Sequence, residues 1–201
     1  MMNKSILLMG TLLVSTFVEI AAQKNSENPN IIFVLADDMG IGDLGCYGQK
    51  KIKTPNIDKL AEKGVLFTNH YSGSTVSAPS RCSLLTGKHT GHAYIRGNKG
   101  IKSEEGFFDL HLPSDEVTVA EILKRKGYAT MCVGKWGLGG PHTTGSPVRK
   151  GFDYFFGYLS QGAAHRYYPE YLYENEDKVM LNKKVYSHFL IMEKGLDFIR
   201  K

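Results

Sequence analysis

The 201-residue sequence has only three cysteines and no long apolar run, and both scarcities exclude classes of protein. Cys46, Cys82 and Cys132 allow at most one disulfide, which excludes a disulfide framework. Cys132 lies in an apolar stretch, so we expect it to be a buried thiol. The sequence also lacks internal repeats, low-complexity tracts and nucleic-acid-binding motifs, so no nucleic-acid partner is expected. The net charge of +5 comes from scattered basic residues and indicates no particular partner.

Residues 1–22 have the pattern of a secretory signal peptide. Lys4 precedes a short apolar run, and the small pair Ala21-Ala22 offers a cleavage site. The alternative is an N-terminal membrane anchor, but polar residues interrupt the run, and a stable anchor needs about 20 apolar residues. No cysteine lies near the cleavage site, which argues against a lipoprotein anchor. The mature chain, residues 23–201, is therefore expected to be exported to the periplasm or secreted.

The mature sequence predicts an α/β fold, because strand and helix patterns alternate along it. Its composition, 42% hydrophobic and 22% charged, is that of an ordinary globular domain. Residues 30–36 form a continuous apolar run typical of a buried central strand in a parallel sheet. The further predicted elements are helices at 55–63, 79–86 and 119–126, with strands at 65–67 and 128–133.

Aromatic residues crowd the segment 152–173, and a different pattern follows. Residues 171–173 and 179–181 flank a polar turn and predict a hairpin. Residues 187–201 have helical periodicity, and the sequence stops within this helix. A βαβ unit should return to its sheet, so we expect the sheet to be incomplete at the C-terminus.

Ser77-Ala78-Pro79-Ser80-Arg81 is the most informative stretch of the chain. Pro79 is suited to the first turn of a helix, whose N-terminus favours a bound anion. Arg81 follows Ser77 by four residues, so the two side chains can meet on one helix face. Taken alone, the stretch also fits an ordinary turn that leads into a helix. Cys82 is not an alternative start of the motif, because the proline and arginine do not follow it at these spacings.

Two further blocks carry groups that suit an anionic substrate and a metal ion. Asp37 and Asp38 directly follow the first predicted strand, where open α/β sheets place ligands. Carboxylate oxygens suit a hard cation such as Ca²⁺, although an Asp-Asp pair here is also common as a turn. Lys135, in the block 134–139 after the third predicted strand, offers a positive charge.

The three blocks together resemble those of the formylglycine-dependent sulfatases, which are members of the alkaline phosphatase superfamily, in their serine-type branch. The resemblance implies that Ser77 is oxidised to formylglycine (3-oxoalanine), whose hydrate is the catalytic nucleophile. It further implies that Asp37, Asp38 and the modified Ser77 bind Ca²⁺. Arg81 would steady the nucleophile, and Lys135 would contact the sulfate ester. The implied fold is an alkaline-phosphatase-like doubly wound sheet with helices on both faces, here incomplete at the C-terminus.

One position departs from the family pattern. The family commonly has a histidine two residues after the lysine, where this sequence has Gly137. We hypothesise that His165 enters the site as a substrate-binding residue in its stead, since it lies among aromatic residues in a polar-rich loop. The alternative is that His165 is an ordinary loop histidine. His142 is a weaker candidate for the same role.

The resemblance predicts hydrolysis of a sulfate monoester, with a sulfated carbohydrate as the substrate and a serine-type maturation enzyme as a partner. Two alternatives remain. One is a phosphoryl-transfer enzyme on the same scaffold, and the other is a protein that binds sulfated glycans without turnover. The family's remaining metal ligands normally lie beyond Lys201, so we read residues 23–201 as the N-terminal part of a catalytic domain. We expect the isolated chain to be inactive.

Overall fold

The structure is a computed structural model, and it describes residues 28–103 and 106–201. The signal peptide predicted at residues 1–22 lies outside the described residues. The chain divides into two units, residues 1–39 and 40–201. None of the helices in the described ranges is long and apolar enough to cross a membrane.

The described part of the first unit, residues 28–39, contains neither helix nor strand. The prediction of a buried strand at residues 30–36 is therefore wrong for this structure. Ile31, Ile32, Phe33 and Val34 are each more than half exposed, at 57%, 65%, 67% and 86%. A strand needs a neighbour to accept and donate its backbone hydrogen bonds, and no described residue forms a ladder with this segment.

The second unit contains four α-helices and six strands among its described residues. The helices are α1 (Pro55–Lys63), α2 (Ser77–Thr86), α3 (Val119–Arg125) and α4 (Ser187–Ile199). The strands are β1 (Gly100–Ser103), β2 (Gly106–Asp109), β3 (Met131–Lys135), β4 (Tyr154–Tyr158), β5 (Tyr171–Glu174) and β6 (Asp177–Met180). Four short 3-10 helices are also present, two before α1 at Ile41–Asp43 and Gly45–Tyr47 and two later at Pro147–Lys150 and Ala163–His165.

Local signals set the ends of the helices. The Thr118 hydroxyl accepts a hydrogen bond from the Glu121 backbone N–H at 3.3 Å, and the Glu121 carboxylate accepts one from the Thr118 N–H at 2.8 Å. This reciprocal pair is the capping box predicted at the start of α3. Gly87 ends α2 in the left-handed conformation, at φ 66°. The strand predicted at residues 65–67 does not form.

Strands β3 to β6 form a mixed sheet in sequential order. β3 and β4 are parallel, with Met131 opposite Tyr154 and Lys135 opposite Tyr158. β4 pairs antiparallel with β5, and β5 pairs antiparallel with β6. β5 and β6 are joined by a tight turn in which Asn175 has φ 56°. β1 and β2 pair antiparallel in a separate two-stranded sheet.

Both faces of the four-stranded sheet are covered, and adjacent residues of β4 show this. Phe155 packs into one core cluster with Cys82 of α2 and with Trp136. Phe156 packs into a second cluster with Ile191 of α4. Successive residues of a strand point to opposite faces, so α2 and α4 cover different faces of the sheet. Ser77 and Lys135 accordingly belong to elements around the first cluster.

Candidate active site

Ser77 is the first residue of α2 and is half-buried. The residues that follow it are fixed in place: Ala78 and Pro79 are buried, and the Ala78 N–H donates to the side-chain oxygen of Asn98 at 3.0 Å. Pro79 fits within the first turn because a helix leaves its first N–H groups without intrahelical partners. The hydroxyl of Ser77 is therefore held at a rigid helix N-terminus.

Arg81 connects this helix terminus to the end of β3. Its Nε donates to Ser77 Oγ at 3.0 Å, and its Nη1 donates to the Lys135 carbonyl oxygen at 2.7 Å. The first of these is the contact that the four-residue spacing predicts. The second joins residues 54 positions apart. One guanidinium thus sets the distance between the candidate nucleophile and the strand that carries the candidate sulfate-binding lysine.

Lys135 is the last residue of β3, and the chain beyond it stays bound to the end of β4. The Trp136 N–H donates to the Tyr158 carbonyl at 2.9 Å, and the Gly137 N–H donates to the Leu159 carbonyl at 3.0 Å. The Trp136 ring nitrogen donates to the Gly145 carbonyl at 2.8 Å. The lysine therefore lies at the carboxyl end of a parallel pair, where ligands of α/β sheets bind.

Asp109 is a buried carboxylate that sequence reasoning missed. It ends β2, and its Oδ2 accepts a hydrogen bond from the Gln161 backbone N–H at 2.6 Å. Burial raises the pKa of Asp109, while the bond from Gln161 and the nearby charge of Lys135 act in the opposite direction. The bond spans 52 residues, so no local sequence pattern could have indicated it.

Gly137 stands where the family commonly has histidine, and the structure gives a steric reason for glycine. Its φ is +76°, in the left-handed region that favours glycine. A Cβ atom built on it would lie 1.7 Å from Nε2 of Gln161 and 2.5 Å from its Cδ. Gln161 thus occupies the space that a side chain at position 137 would take.

The two candidate histidines are both exposed. His165 ends the 3-10 helix Ala163–His165, and no described contact joins it to Ser77, Arg81 or Lys135. Its predicted role in substrate binding stays a prediction. His142 has φ 58°, and its Nδ1 lies 3.2 Å from a carboxylate oxygen of Glu176. The Glu176 carboxylate thus faces the His142 ring, and a role of His142 at the site stays a prediction.

Asp37 and Asp38 belong to the first unit, and both are exposed. Asp38 has φ 56°, a conformation that aspartate tolerates better than most residues. Their donor chemistry fits Ca²⁺, but two carboxylates supply only part of the six to eight oxygen ligands that this ion takes. Within the described ranges, no group of three or more His, Cys, Asp or Glu side chains is placed to hold a metal ion.

Comparison with known proteins identifies the family. The family model described as Sulfatase matches residues 29–200. An N-acetylgalactosamine-6-O-sulfatase of Bacteroides thetaiotaomicron is 48% identical over 142 residues, which are 66% of this chain and 27% of that protein. Human arylsulfatase D is 42% identical over 140 residues, covering 66% of this chain and 23% of that protein. The chain thus spans about a quarter of the length of these curated relatives.

Solved structures agree with this. One, from work on glycosaminoglycan metabolism by Bacteroides thetaiotaomicron, has a TM-score of 0.65 and 42% identity, covering 77% of this chain and 32% of its own. Another holds its substrate, D-glucosamine-2-N,6-O-disulfate, and has a TM-score of 0.65 and 31% identity, covering 86% of this chain and 31% of its own. The predicted fold class, the α/β fold of alkaline-phosphatase-like proteins, is confirmed.

Proposed function

This chain belongs to the sulfatase family, and from that premise we propose that its protein hydrolyses a sulfate monoester of a carbohydrate, with a nucleophile made from Ser77. The observation that carries the proposal is the bridge formed by Arg81. It holds the Ser77 hydroxyl at 3.0 Å and the backbone of Lys135 at 2.7 Å with one cationic group. A serine hydroxyl and an arginine side chain at a helix N-terminus suit an anionic ester, and Arg81 also holds the backbone of Lys135 beside them.

Oxidation of Ser77 to formylglycine supports turnover better than serine itself does. A hydrated aldehyde carries two hydroxyls on one carbon. One can attack sulfur and displace the substrate alcohol, and the other, when it loses its proton, can re-form the aldehyde and expel sulfate. An unmodified serine has no second hydroxyl with which to release sulfate, and it is a weak nucleophile without a base. The Arg81 guanidinium donates to the oxygen at this position, and it favours the anionic form of that oxygen. Lys135 offers its ammonium to a sulfate oxygen.

Ca²⁺ fits the proposal as the ion that Asp37, Asp38 and the oxygen of residue 77 would hold. Bound there, the ion would polarise that oxygen and offset the charge of the ester. Two carboxylates do not complete a calcium site. This supports the view that residues 23–201 are the N-terminal part of a longer catalytic domain and are inactive alone.

The proposed setting is extracytoplasmic. Residues 1–22 would direct export, and a serine-type maturation enzyme would oxidise Ser77. The substrate is proposed to be a sulfated carbohydrate. Two relatives support that choice: one is named for sulfate at position 6 of N-acetylgalactosamine, and one structure holds a sulfated glucosamine.

The test is a mass spectrum of the tryptic peptide Gly64–Arg81 from protein made in its native host. We expect a peptide lighter by the hydrogens lost on oxidation, with an aldehyde that a hydrazide traps. The same preparation should hydrolyse a sulfate ester and leave the matching phosphate ester intact. Ser77→Ala should abolish turnover, whereas Thr75→Ala, an exposed hydroxyl of the same peptide, should retain it. Unmodified serine throughout, or a preference for phosphate esters, would refute the proposal.

A further inference from the structure

The side chain of Gln161 is buried and unsatisfied. The residue is 7% exposed, and neither its amide nitrogen nor its amide oxygen has a hydrogen-bond partner among the described residues. Leaving a buried polar group without a partner costs folding free energy, because the group loses its bonds to water and gains none in return. Most buried polar groups in native proteins are paired, so an exception of this kind calls for a function.

The amide lies against the segment that carries Lys135. Its Nε2 is the atom closest to a Cβ built on Gly137, two residues after the lysine. The Gln161 backbone is fixed by its 2.6 Å bond to the buried Asp109 carboxylate, and Gly137 is fixed by its 3.0 Å bond to the Leu159 carbonyl. The amide therefore occupies the space of a side chain at position 137. These two hydrogen bonds hold the backbones of Gln161 and Gly137 in place.

We propose that Gln161 is a substrate-binding residue, whose amide N–H donates to an oxygen of the sulfate ester. This rests on the proposed function. Glycine at position 137 then serves substrate binding, because the absence of a Cβ lets the Gln161 amide, which lies between β4 and β5, reach this position. A neutral amide has no proton to give, so Gln161 orients the ester and stabilises its negative oxygens without acting as an acid. The buried amide gains its missing partner when the anion binds.

Gln161→Met separates this role from a structural one. Methionine has nearly the same length and is apolar, so it should keep the packing against Gly137 and remove the unsatisfied amide. We expect the melting temperature of the variant to equal or exceed that of the wild type. We expect its dissociation constant for inorganic sulfate to rise about tenfold, the loss of one hydrogen bond. A residue that only fills space would give a lower melting temperature and unchanged sulfate affinity.

The measurement is calorimetric titration of inorganic sulfate into native-host protein, wild type and variants, with turnover of 4-nitrophenyl sulfate as a second readout. Gln49→Met is the matched control, since its amide already bonds the Gly42 carbonyl, and it should leave sulfate affinity unchanged. If Gln161→Met does not fold, Gln161→Asn, which withdraws the amide by one carbon, should show the same weaker binding.

The outcomes distinguish this inference from the proposed function. A wild-type protein that neither binds sulfate nor turns over a sulfate ester overturns both. A wild-type protein that does both, with a Gln161→Met variant within twofold of it in sulfate affinity, overturns the role of Gln161 alone. Weaker sulfate binding with intact stability supports it.

Discussion

Substituting alanine at Gly137 should destabilise the protein more than the same change at a glycine with a similar backbone but open surroundings. Gly127 is the matched control, because its φ is +86° and a Cβ there would meet nothing within 4 Å. A left-handed backbone costs a non-glycine residue about 1–2 kcal/mol, and both variants carry this penalty. Only at Gly137 does the new Cβ approach Gln161, at 1.7, 2.5 and 3.0 Å from Nε2, Cδ and Cγ.

Gln161 has to move to admit that Cβ, and overpacking of this kind costs about 1–3 kcal/mol. We therefore expect Gly137→Ala to lower the free energy of unfolding by about 2–5 kcal/mol and Gly127→Ala by about 1–2 kcal/mol. Gln161→Ala removes the atoms in the way. The double variant Gly137→Ala/Gln161→Ala should therefore lose less stability than the sum of the two single variants, by about 1–3 kcal/mol.

The assay is urea denaturation of the four variants and the wild type, followed by tryptophan emission. Trp136 is the only tryptophan of this chain, is buried and lies next to Gly137, so its emission reports on this segment. Equal losses of unfolding free energy for the two glycine variants would show that the Gln161 side chain moves aside without cost. Strict additivity in the double variant would refute the steric contact.

Four further results are expected. The pKa of Asp109 is raised by burial, so the stability it contributes is present at low pH and is lost as the pH rises above about 4; Asp109→Asn should remove this loss in melting curves taken across acid pH. Asp153 is the opposite case, because its bond to a lysine lowers its pKa, and Asp153→Asn should remove stability that the wild type has above about pH 4. Burial raises the pKa of the Cys132 thiol to about 12, so iodoacetamide should label Cys132 slowly in the folded chain at pH near 8 and much faster in guanidinium. Arg81→Lys keeps the charge but loses the fork that reaches two acceptors, so sulfate-ester turnover should fall at least about tenfold; an unchanged rate would contradict the bridge.

Local features of the fold followed from the sequence because their causes lie within a few residues. The capping box at Thr118 starts α3 as predicted, and Gly87 ends α2. α2 begins at Ser77, two residues before the predicted start, because proline fits anywhere in a first turn. The hairpin of β5 and β6 and the helix α4 also form where their patterns predict them.

Packing between distant segments was not predictable in this way. Ile57 and Leu60 mark the apolar side of α1, yet they are 40% and 72% exposed. A helical pattern predicts a helix but does not supply the surface that covers it. Residues 30–36 do not form the predicted strand for a related reason. An apolar pattern does not specify which segment would pair with it.

The same distinction, between contacts within a few residues and contacts between distant segments, applies to the candidate site. Spacing alone predicts the contact of Arg81 with Ser77, because both lie on one helix face. The second bond of Arg81, to the Lys135 carbonyl, depends on how α2 packs beside β3. Asp109 and Gln161 carry no motif, and only the folded chain brings them to the segment after β3.

The open run from Ile31 to Leu35 has a practical consequence for anyone who handles this polypeptide. It is a β-prone, uncharged stretch without proline, and the same stretch in a second molecule could pair with it edge to edge. Preparations of these 201 residues should therefore aggregate as they are concentrated. The protein concentration at which aggregation begins should change with temperature and added salt. A lysine in place of Val34, the most exposed of these side chains at 86%, should keep such preparations clear without touching any residue of the site.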